Sequence, residues 1–425
     1  MKWTGILALA ILAATAGACG GDDTPSPVPV SGVTLQPTAL DMVVGSDTLL
    51  VATVLPDNAD DKSVAWSSSD TTVVTVSNGN LSAVSVGGPV TITVTTLDGE
   101  FTATCAVTVK HPPGLKVSTV AGDGVVGHVD AVGTEARFSA PQGIVMDAAG
   151  NLYVGENTWI RKITPAGAVT TLAGGTAGGY VDGTSTAARF TDVAGLALDA
   201  QGNLYAADYG NYCIRKITPA GVVTTVAGNG TAGYADGTGT NAQMGAVGGV
   251  AFNPSKDILY VTDVTNDCIR KIVIATSEVT TLANGLTKPR GLCSDAAGNL
   301  YATEYFGHRV RKITPSGEVT TVAGSGAEGF RDAASTSAMF AYPVSITIDA
   351  AGNLYVSDAA NYCIRQITPA GDVTTLAGIP RQRGYLDGPA ASALFYSPSG
   401  IVSGTNGVIF VLDRSQPRLR RIAFE

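Results

Sequence analysis

Apolar and polar residues alternate one by one over short stretches of this chain, and each stretch ends in a turn signal. Val90-Thr91-Ile92-Thr93-Val94-Thr95-Thr96 alternates strictly, and Asp98-Gly99 turns it into Phe101-Thr102-Ala103-Thr104-Cys105-Ala106-Val107. A period of two puts alternate side chains on opposite faces, so such runs predict half-buried strands. Val33-Thr34-Leu35, Thr48 to Val54 and Val73 to Val76 follow the same rule, with Asn78-Gly79 as a hairpin turn. About seven short strands thus fill residues 32–109, the pattern of a small β-sandwich. His111-Pro112-Pro113-Gly114 comes next. Prolines lack the N–H that a ladder needs, so residues 110–115 read as a hinge.

From residue 116 to 425 the pattern repeats itself. Val-x-Thr-[Val/Leu]-Ala starts at Val117, Val169, Val223, Val279, Val319 and Val373, in steps of 52, 54, 56, 40 and 54 residues. Gly-Asn-Leu-Tyr recurs at Gly150, Gly202, Gly298 and Gly352, with variants at Asp257 and Gly407. Ile-Arg-Lys-Ile or a close variant starts at Ile160, Ile214, Ile269, Val310, Ile364 and Leu419. Each repeat therefore holds four short strands, which is one propeller blade, and six blades make a ring. Val117 to Val120 is an outer strand with no blade before it, while the last repeat lacks its own outer strand. The fold expected is all-β: a sandwich followed by a six-bladed β-propeller closed by its N-terminal strand.

Two resemblances sharpen this. Leu35-x-Pro37, Gly45, Pro56, Val64 to Asp70, Val74-x-Val76 and Ile92-Thr93-Val94 resemble the bacterial Ig-like group 2 domain, which implies an Ig-like sandwich in a stalk or adhesion module. Trp66 and Cys105 are then expected to pack in its core. The repeats resemble the NHL family through Gly-x-x-Gly-Tyr-x-Asp-Gly, Asp-x-x-Gly-Asn-Leu-Tyr-x-x-Asp and Asn-x-x-Ile-Arg-Lys-Ile-Thr-Pro-x-Gly. That family includes enzymes, adhesins, sensors and interaction platforms, so it implies a fold and no single activity.

Residues 1–18 read as a signal peptide: Lys2, then an apolar run from Ile6 to Ala16, too short to span a bilayer. Ala16-Gly17-Ala18-Cys19 resembles a bacterial lipobox with Cys19 as the acylated residue, although Ala16 stands where that motif prefers Leu. Ordinary signal peptidase would cut the same bond and leave a secreted protein. Residues 19–31 form a polar tether whose Asp22-Asp23 resembles the surface-export signal of Bacteroidetes lipoproteins. The expected location is the outer membrane, exposed at the cell surface, with a periplasmic or secreted form as the other outcomes. Membrane contact is expected through the N-terminal lipid only.

Composition narrows the chemistry. The net charge is -9, and no basic run of five or more exists, which argues against nucleic acid as the main partner. Three histidines in 425 residues leave little for a His-rich metal centre or a His-based hydrolase. NHL-like lyases use His on one face of the ring; a six-bladed lactonase uses Glu, Asn and Asp around an axial divalent ion. Here the inner-strand entrances carry Gln142, Ala194, Gly248, Arg290, Val344 and Ser399, so neither pattern is present. No enzyme, no cofactor and no metal are expected, with a propeller lyase or lactonase left as the remaining alternative after the binding readings.

Repeated residues read as scaffold. An acid ends every second strand (Glu156, Asp208, Asp263, Glu304, Asp358, Asp413), and an Arg follows on every third (Arg161, Arg215, Arg270, Arg311, Arg365, Arg420). Asp130, Asp182, Asp236, Asp332 and Asp387 recur in the long loops, and Phe138, Phe190, Met244, Phe340 and Phe395 read as their anchors. Cys213, Cys268 and Cys363 share one position and read as buried thiols. A set taken as irregular remains: Trp159, Tyr209, Tyr212, Tyr305, Phe306 and Tyr362, with Arg290 and His308. The fourth repeat lacks its long loop, and a notch is expected beside Arg290, Tyr305, Phe306 and His308. Aromatic faces next to hydrogen-bonding groups suit sugar rings. The expected partner is a polysaccharide, or else a protein of the envelope met through an interaction or adhesion platform, and the protein is expected to be a monomer.

Overall fold

The structure is a computed structural model that describes residues 26–43, 45–84, 87–110 and 114–424; the expected signal peptide, Cys19, most of the expected tether and His111 to Pro113 of the expected hinge lie outside them. The chain divides into two compact units, at Pro112 and Pro113. Among the described residues no helix is long and apolar enough to cross a membrane.

The first unit is a sandwich of short strands. Ala39–Val43 lies parallel to Thr102–Lys110, which pairs antiparallel with Gly87–Thr96, and that strand pairs with Val64–Ser68. Gly32–Gln36 pairs with Val51–Leu55, and Asp47–Leu49, Asn80–Ala83 and Val74–Ser77 form a third small sheet. The alternation seen in the sequence becomes burial: Val90, Ile92 and Val94 point into the core with Cys105 and Val107. Trp66 is half-buried against that core, and Cys105 is fully buried.

The second unit contains six sheets of propeller-like type among the described residues. Sheet one is Gly143–Met146, Leu152–Gly155, Trp159–Ile163 and Val169–Gly174. Sheets two, three, four and five start on the inner strands Val193–Leu198, Val247–Phe252, Pro289–Ser294 and Pro343–Ile348. Sheet six holds Pro398–Ser403, Ile409–Asp413 and Arg418–Phe424, and its next strand is Leu115–Ala121 from the start of the unit. That strand runs antiparallel to Arg418–Phe424 with Val117 opposite Ile422.

The repeated phrases turn out to be turns and braces. In Asp-x-x-Gly-Asn-Leu-Tyr, the Asp147 carboxylate accepts the Asn151 backbone and side-chain N–H groups, both at 2.8 Å, and Gly150 sits at φ 81°. Asp199, Asp295 and Asp349 repeat the arrangement with Asn203, Asn299 and Asn353. Five of the six inner strands approach the next closely through glycine, and Pro343–Ile348 has Ser345 at that place. A Cβ on Gly195 would stand 2.5 Å from the Gly248 carbonyl oxygen, and one on Gly249 would stand 2.6 Å from the Arg290 carbonyl. Hydroxyls tie neighbouring sheets: Thr262 donates to the Arg290 carbonyl at 2.9 Å, Thr303 to Val344 at 3.1 Å, and Ser399 to Pro141 at 2.9 Å. Because backbone cannot step aside as a flexible side chain can, Gly249→Ala is expected to destabilise the unit by about 1–3 kcal/mol. Urea denaturation would measure this, and an unchanged midpoint would count against the close approach.

The recurring acids and arginines form a brace in each sheet. Arg215 is fully buried and reaches Asp208 at 2.9 Å and Asp182 of the long loop at 2.6 Å. Arg161, Arg270 and Arg365 bridge an inner acid and a loop Asp in the same way. Two sheets depart. In sheet four the loop Asp is missing, and Glu304 takes Arg309 at 2.9 Å as well as Arg311 at 3.1 Å. In sheet six Arg420 keeps Asp387 at 2.6 Å, while Asp413 accepts the backbone N–H groups of Tyr396 and Ser397. Phe138, Phe190, Phe340 and Phe395 are fully buried beside these guanidinium groups, 5.0–5.4 Å from ring centre to Cζ. The cysteines Cys213, Cys268 and Cys363 are free and buried, and burial pushes each thiol pKa up.

Candidate functional site

The inner strands of the second unit enclose a narrow cavity of about 70 Å³. Glycines, Gln142, Ser345 and Arg290 line it. Gln142 donates to Asp192, and Arg290 is the one charged side chain of that lining. A lactonase-type divalent ion needs carboxylates at this place, and the lining supplies a guanidinium instead. Among the described residues no three His, Cys, Asp or Glu side chains converge as a metal site.

A wider cavity of about 330 Å³ opens beside it, lined by Tyr209, Val264, Thr265, Lys288, Arg290, Tyr305 and Phe306. Register explains how it arises. Tyr209, Val264 and Tyr305 each follow the acid that ends the second strand, in sheets two, three and four. A valine stands between two tyrosines, and its smaller side chain leaves room over sheet three. The missing long loop of sheet four leaves the same region uncovered: only residues 284–288 separate Glu278–Ala283 from Pro289–Ser294.

Several contacts hold these groups in place. Thr262 on sheet three fixes the Arg290 carbonyl, and the Tyr305 N–H donates to the Lys288 carbonyl at 3.0 Å. The Arg290 guanidinium lies 5.0 Å from the Tyr305 ring centre and 6.0 Å from that of Tyr209. Lys288 is paired with Asp267 at 3.3 Å and donates to the Thr265 carbonyl at 3.1 Å. Phe306 is 56% exposed at the rim.

Behind the rim stands an aromatic cluster centred on Tyr342, a residue the sequence reading did not single out. Tyr342 meets Tyr305 at 5.1 Å, Phe306 at 5.9 Å and His308 at 4.8 Å between ring centres. The Tyr342 backbone N–H donates to His308 Nδ1 at 3.2 Å, so that nitrogen must be unprotonated. Burial lowers the His308 pKa, with Glu328 pulling the other way. A histidine whose folded pKa is lowered stabilises the fold above its unfolded pKa of about 6.5, and that stability is lost as pH falls through the folded value. The stability advantage of wild type over His308→Gln is therefore expected to narrow as pH falls below about 6.5, read as the difference between their melting temperatures at each pH. Equal pH profiles for the two proteins would refute this role.

The other residues of the sequence-derived set sit elsewhere. Trp159 stacks on His128, with ring centres 3.8 Å apart, and lines neither cavity. Tyr212 and Tyr362 also line neither. They are not irregular: Tyr212, Asp267, His308 and Tyr362 occupy one turn position, at φ 54°, 56°, 49° and 57°. Trp159 likewise opens the third strand of its sheet, as Cys213, Cys268 and Cys363 do in theirs. Only their residue types differ from one repeat to the next. Comparing strand register shows them as variants of a regular site. Tyr209, Arg290, Tyr305 and Phe306 do come together at the wide cavity, while His308 lines neither cavity and stands behind it against Tyr342.

Residues 29–107 match the family of bacterial Ig-like domains (group 2). Residues 237–330, which include Val264, Arg290 and Tyr305, match the SMP-30/gluconolactonase/LRE-like region. Protein SUPPRESSOR OF QUENCHING 1 of Arabidopsis thaliana is 27% identical over 58% of this chain and 27% of its own length. NHL repeat-containing protein 2 of Bos taurus is 31% identical over 34% of this chain and 22% of its own. This chain thus spans about a quarter of the length of these relatives. A solved auxiliary nutrient binding protein from Bacteroides thetaiotaomicron superposes with a TM-score of 0.61, at 19% identity, over 94% of this chain and 98% of its own. At that identity the likeness is one of fold.

Proposed function

We propose that this chain is an envelope lipoprotein whose second unit binds glycan without catalysis. The six sheets are read as the blades of one closed ring. Support comes from the pairing of Leu115–Ala121 with Arg418–Phe424 and from the Ser399 bond that joins sheet six to sheet one. The Ig-like unit serves as a spacer between that ring and an anchor at Cys19, which places a monomeric protein on the outer membrane. The observation that carries the binding reading is the 330 Å³ cavity walled by Tyr209, Tyr305 and Phe306. Its size falls in the roughly 300–1,000 Å³ range of small-molecule sites, and aromatic faces match the apolar faces of sugar rings. The nutrient-binding name of the Bacteroides structure agrees with a role in capturing saccharide.

Tyr305→Ala is expected to weaken glycan binding about tenfold while leaving the melting temperature within a few degrees of wild type. Affinity electrophoresis in gels containing plant, algal and host polysaccharides would measure it. Retardation by no polymer would remove the glycan reading. Exposed Val125, Val126 and Val132 favour a second reading, in which the long loops meet an envelope protein.

A further inference from the structure

The wide cavity has an electrostatic character opposite to that of the chain. Its lining carries Lys288 and Arg290 and no carboxylate, in a protein of net charge -9. Lys288 is neutralised by Asp267. Arg290 is different. It is half-buried, it faces two aromatic rings, and among the described residues its guanidinium has no ion pair or hydrogen bond. Every arginine of the braces, by contrast, reaches at least one carboxylate. A guanidinium presents a rigid fork of donors that fits a carboxylate in two parallel bonds. Held between Tyr209 and Tyr305, that fork is set beside faces suited to a sugar ring.

We infer that the cavity takes an acidic saccharide, a sugar ring bearing a carboxylate, with the carboxylate on Arg290 and the ring against Tyr305. This inference rests on the glycan-binding reading and narrows it to one class of ligand. The partly exposed Arg290 also faces the narrow inner cavity, where no acid competes for it. Val264 sets the size of the site, because its place is taken by tyrosine on the sheets to either side.

The test is calorimetry on the purified protein with three sets of short oligosaccharides, from polygalacturonate, alginate and a glucuronate polymer, each paired with its carboxyl-reduced neutral counterpart. At least one acidic oligomer is expected to bind at least tenfold more tightly than its neutral partner. Arg290→Gln should erase that preference, Arg290→Lys should keep part of it, and Val264→Phe should block binding by filling the cavity. Melting temperatures of the three variants serve as the control for folding. Equal binding of acidic and neutral oligomers, or a preference that survives Arg290→Gln, would overturn the acidic assignment and leave the glycan reading standing. Binding of no oligomer of either kind would overturn both.

Discussion

Replacing Arg215 by Met is expected to cost the second unit about 3–5 kcal/mol, the range for removing one partner of a buried ion pair. The Arg215 side chain is fully buried, as is that of Asp208, whereas Asp182 is half exposed. The guanidinium also donates to the Val181 and Arg189 carbonyls at 2.9 and 3.0 Å, and it lies beside the Tyr180 and Phe190 rings. Methionine would fill much of the volume but leave the Asp208 carboxylate buried with only Asn211 and the Thr191 N–H as partners. Burial already pushes Asp208 up to about 6, against the pull of its hydrogen bonds and of Arg215. Without Arg215 that value rises further. A carboxyl whose folded pKa lies above its unfolded one stabilises the fold in acid and loses that contribution as pH rises through the folded value. The deficit of Arg215→Met should therefore shrink as pH falls from 8 toward about 6, where Asp208 takes up its proton in the variant before it does so in wild type. Denaturant melts at pH 5 and pH 8 would show it, and a deficit under 1 kcal/mol at pH 8 would refute the brace. Arg311→Met offers a contrast within the same molecule. Glu304 retains Arg309, and Arg311 has no loop Asp to hold, so this change should cost less.

Val117→Asp should be at least as damaging, at more than about 4 kcal/mol. Val117 is 1% exposed in a core with Tyr355, Ile364, Phe395 and Ile422. An aspartate there would bury a charge with no partner, and on the one strand that joins the start of the unit to its end. Two effects would combine: loss of the local core, and opening of an edge on Arg418–Phe424. Limited proteolysis should then cut across all six repeats, while Val117→Ile stays resistant. Cleavage confined to the first residues of the unit would mean that Leu115–Ala121 is an appendage.

What the sequence made legible was local or repeated. Strict alternation in Val90 to Thr96 depends only on neighbours, and it set the strand and its buried face correctly. Six copies of an acid followed by an arginine revealed a brace, because one packing problem recurs from sheet to sheet, and five of the six sheets close it between those two residues. The short fourth repeat pointed to Arg290, Tyr305 and Phe306, since a missing loop uncovers whatever lies beneath it. Contacts between sheets were not legible. Val264, Thr265 and Lys288 come to one cavity through register across sheets two, three and four. Tyr342 joins the aromatic cluster from sheet five's entrance and carries no motif. Trp159, Tyr212 and Tyr362 misled for a related reason: residue type varies freely at a turn position whose geometry does not.

The strand Leu115–Ala121 also sets a clock. Leu115 faces Phe424, so the first strand of the unit to be synthesised pairs with the last. At about 5–20 residues per second, the intervening chain takes about 15–60 s to make. Throughout that time Val117 and Ala121 have no ladder to join, and sheet six cannot form. Contacts so distant in sequence are slow to find after synthesis as well, because their loop must close before they contribute. The earliest part of the unit to be made is thus the latest to be secured.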